Sequence, residues 1–192
     1  PCGASPPPGY PVAAGWCGNS TTLYSPTEVR LVESALLIGS VQPLVGLPDI
    51  GEKLLRAFGW SKELDPDNSE EVDLVVRHLK NVANTFYPTQ GTYAVSHSAS
   101  LMYEFLSRVS DTNLIDIFDT LVDGSQPWVW HGSGFTTPDK IALNIGTLGV
   151  SLVPYLHIVP RDIQKYGVFL AKMGVQQNFQ QKELCTVLQS VQ

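Results

Sequence analysis

Two stretches of this 192-residue chain repeat the same punctuation, at an offset that stays between 111 and 115 residues. Tyr24-Ser25-Pro26-Thr27-Glu28-Val29 stands beside Thr136-Thr137-Pro138-Asp139-Lys140-Ile141. Each has a hydroxyl residue before proline, an acidic residue within two positions, and then a β-branched residue. Pro43-Leu44 answers to Pro154-Tyr155, and Leu47-Pro48-Asp49-Ile50 to Val159-Pro160-Arg161-Asp162-Ile163. Lys53 answers to Lys165, and Phe58-Gly59-Trp60 to Met173-Gly174-Val175, each copy leading through a polar linker to another amphipathic helix. Self-similarity at a fixed period marks a repeated supersecondary unit. The expectation is two related units sharing a core.

Each part of the unit has a physical job. The Ser/Thr-Pro-acidic turn links two strands, its hydroxyl accepting from a nearby amide while proline presets φ. Pro48 and Pro160 read as first helical residues, where a missing N–H costs nothing. Gly59 and Gly174 suit the left-handed residue that closes a helix, with Trp60 or Val175 folding back on its last turn. The unit is strand, turn, strand, short strand, capped helix, linker, helix.

Helices fill the middle. Asn68-Ser69-Glu70-Glu71 is a capping-box-like start, followed by Val72, Val75, Val76, Leu79, Val82, Ala83 and Phe86 at helical spacing. Tyr87-Pro88 ends that helix. Leu101, Met102, Phe105, Leu106 and Val109 form a second stripe. Asp111 caps a third helix carrying Leu114, Ile115, Phe118, Leu121 and Val122, which Gly124 stops. The short link at Val109–Asp111 predicts an antiparallel helical hairpin. Trp128-Val129-Trp130, Ile141-Ala142-Leu143 and Tyr155-Leu156-His157-Ile158 read as strands. The expected fold is α+β and helix-rich, two strand-turn-strand-helix units flanking the hairpin. Its divisions are an irregular lead-in at 1–19, a first unit at 20–86, the hairpin at 87–124 and a second unit at 125–192.

Composition then removes whole classes. With 43% hydrophobic residues the chain can bury a core, and no apolar run reaches the roughly eighteen residues of a membrane span. A net charge of −6 and a pI near 5.1 argue against nucleic acid, and Arg77-His78-Leu79-Lys80 lies within one helix. Cys2, Cys17 and Cys185 are too scattered for a disulfide framework. Residues 1–19 hold five prolines and four glycines, including Pro8-Gly9-Tyr10-Pro11, and read as a loop with no basic anchor before Arg30. The Asn19-Ser20-Thr21 sequon has no other export signal beside it, so a cytoplasmic location is expected. Both ends read as cut from a larger polypeptide.

No constellation of catalytic residues emerges. His131-Gly132-Ser133-Gly134 lacks the third glycine of a dinucleotide site, the Lys-Ser/Thr of a P-loop and the order of a nucleophile elbow. His78, His97, His131 and His157 lack metal-ligand spacing, and His157 between Leu156 and Ile158 reads as structural. Glu70-Glu71 and the pair Asp116 and Asp119 read as solvated helix faces. Cys185 reads as a small buried hydrophobe. An enzyme with a site at His131 and Ser133 is the least favoured reading. No catalytic, cofactor-binding or metal-binding residue is assigned. The residues expected to matter for structure or partner contact are Trp128, Trp130, Phe135, Pro138, Tyr155 and Gly174. Trp128 and Trp130 are either core or, with Phe135, an exposed aromatic patch for peptides or clients.

One family shares this combination. Trp128 through Ala142 resembles the tryptophan strand and Phe-x-x-Pro-Asp-x-Val/Ile turn of the large internal repeats of the sacsin family. Val153 to Pro160, leading to Tyr166, Phe169, Leu170 and Met173-Gly174-Val175, is similar to the segment that follows there. Leu23 to Val29 resembles the same turn in a first copy, and Val72 to Ala83 the helix before the hairpin. The resemblance covers residues 20–192. It implies a very large cytosolic co-chaperone of heat-shock protein 70 that organises intermediate filaments and mitochondria in neurons. Its repeats open with modules similar to the heat-shock protein 90 ATPase. This chain lacks that module's nucleotide-pocket motifs, so the resemblance implies no ATP-site residue and a linker region downstream. The implied partners are other segments of the same polypeptide, heat-shock protein 70 class chaperones and client proteins.

Overall fold

A computed structural model describes residues 29–31, 34–45, 53, 57, 63–86, 91–122, 126–144 and 153–190. The proline-rich lead-in, the first-copy turn at 20–28, Pro48 and Phe58-Gly59-Trp60 lie outside the described residues. In chain order the elements are β1 (Arg30–Leu31), α1 (Ala35–Ile38), β2 (Leu44–Val45), α2 (Ser69–Thr85), α3 (Thr92–Ser107) and α4 (Asp111–Val122). There follow β3 (Val129–Trp130), β4 (Phe135–Thr136), a 3-10 turn (Pro138–Lys140), β5 (Ile141–Asn144) and β6 (His157–Ile158). A second 3-10 turn (Gln164–Tyr166) leads to α5 (Gly167–Lys172), β7 (Gln176–Asn178) and α6 (Gln181–Ser190). The fold is helix-rich α+β.

Among the described residues the strands form three small sheets. β1 and β2 are parallel, with Arg30 opposite Leu44; β3 and β4 are an antiparallel hairpin, with Trp130 opposite Phe135. β5 is the central strand of a parallel sheet between β6 and β7, placing Ile141 opposite His157 and Ala142 opposite Gln176.

α2 forms where a cap and an apolar stripe coincide. The Asn68 side chain accepts from the Glu70 N–H at 3.0 Å, and Val72, Val75, Val76, Leu79 and Val82 are buried. Glu71 departs from the expected solvated face. Its carboxylate accepts from the Asp65 N–H at 2.7 Å and from Arg30 of β1 at 3.3 Å, a partner 41 residues distant. Glu183 stands 112 residues after Glu71, at the equivalent position of α6, and accepts from the Gln180 N–H at 2.9 Å. α3 packs on α1 and α2, and α4 on α2.

Several local expectations are corrected. The Thr137 hydroxyl makes no cap; the turn closes through backbone, the Lys140 N–H donating to the Thr137 carbonyl at 3.1 Å. Pro160 stands before the helical turns rather than inside them, its carbonyl accepting from the Ile163 and Gln164 N–H groups. Ile115 is 65% exposed, because the buried face of α4 runs through Ile117 and Leu121. Cys185 is exposed, not buried.

His78 ties α2 to α1. It is buried, its Nδ1 accepts from the Ser40 N–H at 3.0 Å, and the Ser40 Oγ lies 2.6 Å away. Burial lowers its pKa from 6.5 to about 4, with the Leu36 carbonyl opposing the shift. The unfolded chain therefore takes up this proton below pH 6.5, whereas the folded chain stays neutral until about pH 4. Stability should be full above that window and fall by roughly 3 kcal/mol as pH drops through it. Urea melts between pH 7 and 4 check this: His78→Gln should flatten the slope relative to the parent, and an unchanged slope would refute the assignment.

Candidate functional site: the tryptophan hairpin and the histidine pair

The β3–β4 hairpin projects from a strand too short to satisfy itself. The Trp128 N–H donates to the Thr136 carbonyl at 3.1 Å, and the His131 N–H to the Gly134 carbonyl at 2.9 Å. The opposite edge is met by one side chain. The Tyr103 hydroxyl, from α3, donates to the Trp128 carbonyl at 2.7 Å and accepts from the Trp130 N–H at 2.9 Å. Tyr103 is wholly buried, and burial raises its pKa, so the phenol keeps the proton it donates.

Two aromatic clusters grow from that clip. Trp128 meets Tyr103 and Phe169 edge to face, at centroid distances of 6.2 and 6.4 Å. Trp130 meets Phe86 at 5.3 Å and Phe135 at 5.1 Å, again edge to face. These separations and tilts suit the aromatic quadrupole. Trp128 is 0% and Trp130 1% exposed. Of the two readings left open for this pair, the core one holds: α3, α5 and the end of α2 close over the hairpin. Phe135 is half-buried against Trp130.

The other expected residues are dispersed. Pro138 opens the 3-10 turn and lies beside Gly174, where a Cβ would stand 3.8 Å from the proline Cβ. Gly174 has φ +91° and closes α5: its N–H reaches the Ala171 carbonyl at 3.2 Å, and the Val175 N–H the Leu170 carbonyl at 2.9 Å. Tyr155 is 45% exposed, in the turn before β6.

At the hairpin tip the structure joins two histidines that the sequence keeps 26 residues apart. The His131 and His157 rings stack at 3.9 Å with 24° between their planes. His131 is lowered to about 4, first by burial and then by the charge of His157. His157 is also lowered, chiefly by burial, with the Pro154 carbonyl opposing and Lys140 adding to the effect. The Ser133 Oγ lies 3.4 Å from the His131 Nδ1. That is a long contact, and among the described residues no carboxylate bonds to the ring. Among the described residues no three of His, Cys, Asp or Glu gather as metal ligands.

Sequence comparison adds one finding. Over 190 residues, 96% of this chain, the sequence is 26% identical to human sacsin. The chain is sacsin-like. It spans 4% of the length of that relative. No family model matches the chain, and no solved structure matches it. Among the described residues no helix is long and apolar enough to cross a membrane.

Two substitutions test the geometry. Tyr103→Phe keeps the ring but strips two buried backbone groups of their partner, and should destabilise by about 2–4 kcal/mol in urea melts. Gly174→Val forces a β-branched residue into the left-handed region and should cost about 1 kcal/mol or more in the same assay. Losses below a few tenths of a kcal/mol would contradict both assignments.

Proposed function

We propose that this chain is a non-catalytic structural and interaction segment of a giant cytosolic co-chaperone. The observation that carries the reading is where the aromatic residues lie. Trp128 and Trp130, the strongest candidates for a recognition surface, are spent on packing β3 against α3, α5 and the end of α2. The similarity of 96% of this chain to a stretch of human sacsin supports a place within a chaperone-related polypeptide. In that setting the segment works alongside the heat-shock protein 70 machinery and in the organisation of intermediate filaments and mitochondria. Its immediate neighbours are other segments of the same polypeptide, with client proteins as transient partners.

An enzyme is not the reading favoured. The Ser–His contact at the hairpin tip, Ser133 with His131, has a poor base: a half-buried imidazole whose proton affinity is held down. Turnover and binding assays on the purified chain with ATP, ADP and hydrolase substrates test this. No turnover and no saturable nucleotide binding are expected; a measured turnover abolished by His131→Ala would overturn the proposal. The tryptophans give a second test. Trp128→Ala should cost about 3–5 kcal/mol as a core truncation. Loss of chaperone or client binding with an unchanged Tm would instead make that side chain a contact residue.

A further inference from the structure

We propose that His131 and His157 form a proton-sensitive latch: stacked and neutral, they pin the tip of the β3–β4 hairpin to β6, and protonation lifts the tip. The geometry is specific to this pair. The rings lie face to face at 3.9 Å, a distance at which two neutral imidazoles attract and two imidazolium ions repel. The tip is shaped to admit the ring. A Cβ on Gly134 would come within 3.2 Å of the His131 Nε2, and Gly132, at φ +101°, turns the chain beside Pro160.

The surroundings favour the uncharged state. Beyond burial, His157 acts on His131, and His157 feels Lys140 from the 3-10 turn before β5, with the Pro154 carbonyl opposing. Asp139 and Arg161 lie on the adjoining turns, and the Ser133 hydroxyl lies 3.4 Å from the His131 Nδ1. Among the described residues no carboxylate bonds to either ring, so a proton arriving at His131 meets burial and the His157 ring, and one arriving at His157 meets burial and the Lys140 ammonium. Lowered proton affinity at both rings agrees with that arrangement.

The latch is coupled to the aromatic core. Phe135 begins β4 directly after the tip, and its ring packs on Trp130 at 5.1 Å. Lifting the tip pulls Phe135 from Trp130 and opens that side of the cluster to solvent. The apolar surface that is closed at neutral pH then becomes available on acidification.

A histidine-resolved NMR titration of the whole chain, run with near-ultraviolet circular dichroism, tests the proposal. In the parent, both rings should titrate below the ordinary histidine value, His131 near pH 4, with the Trp130 indole signal changing as His131 takes up its proton. His131→Phe keeps a stacking ring and removes one titration. The Trp130 change should then move by about one pH unit or more, or vanish, while His78 in α2 titrates as before. Independent titration of either ring near pH 6.5, with Trp130 unmoved, would overturn the latch. Should His131→Phe fail to fold, the parent titration alone decides.

Discussion

The Tyr103 hydroxyl is the contact on which the second half of the chain depends. A two-residue strand leaves its outer carbonyl and N–H without a ladder partner, and in a buried position each costs more than the bond that would satisfy it. One phenol meets both, at 2.7 and 2.9 Å. That requirement sets the height of α3 against the hairpin. Once α3 is placed, Trp128 faces Phe169 of α5, and Trp130 faces Phe86 at the end of α2. Three helices and a hairpin are thus brought into one arrangement by a single side chain, with the aromatic contacts following from it.

A second constraint recurs along the chain. Glu71 and Glu183, 112 residues apart, each stand in the first turn of a helix and accept from an N–H just upstream. Each helix follows a parallel strand pair, β1 with β2 and β5 with β6. The side-chain partners differ. Glu71 also binds Arg30, whereas at Glu183 the further donor is the Gln176 amide at 3.4 Å. The backbone role of the carboxylate is common to both positions, while the tertiary partner has been exchanged. Capping a helix is a local need that any such unit has.

What was legible in the sequence follows the range of each interaction. Asn68 as a cap, the Val72–Val82 stripe and Gly174 as a left-handed terminator depend on neighbours a few residues off, and spacing alone exposes them. Tyr103 was legible in part, since it falls four residues after Ala99 and three before Leu106 on the buried face of α3. That its hydroxyl would seek Trp128, 25 residues on, was not, because nothing local records which strand edge is left open. The His131–His157 stack and the Glu71–Arg30 bond were hidden for the same reason. Ile115 and Cys185 show the opposite error. A helical stripe read from composition is wider than the face its neighbours cover, so residues at its margin lie open to solvent.

Burial of both tryptophans also alters where functional substitutions should fall. A recognition patch concentrates sensitivity in a few exposed anchors. Here the large aromatic residues hold elements together, so damage spreads through the packing of α2, α3, α5 and the hairpin. The hairpin tip differs, because its contacts are made by titratable rings at the edge of the core. Apolar packing carries no titrating group, whereas buried imidazoles do: His78 ties overall stability to pH, and the His131–His157 stack makes one edge sensitive. A scaffold with one such edge can stay folded while a single strand end responds to protons.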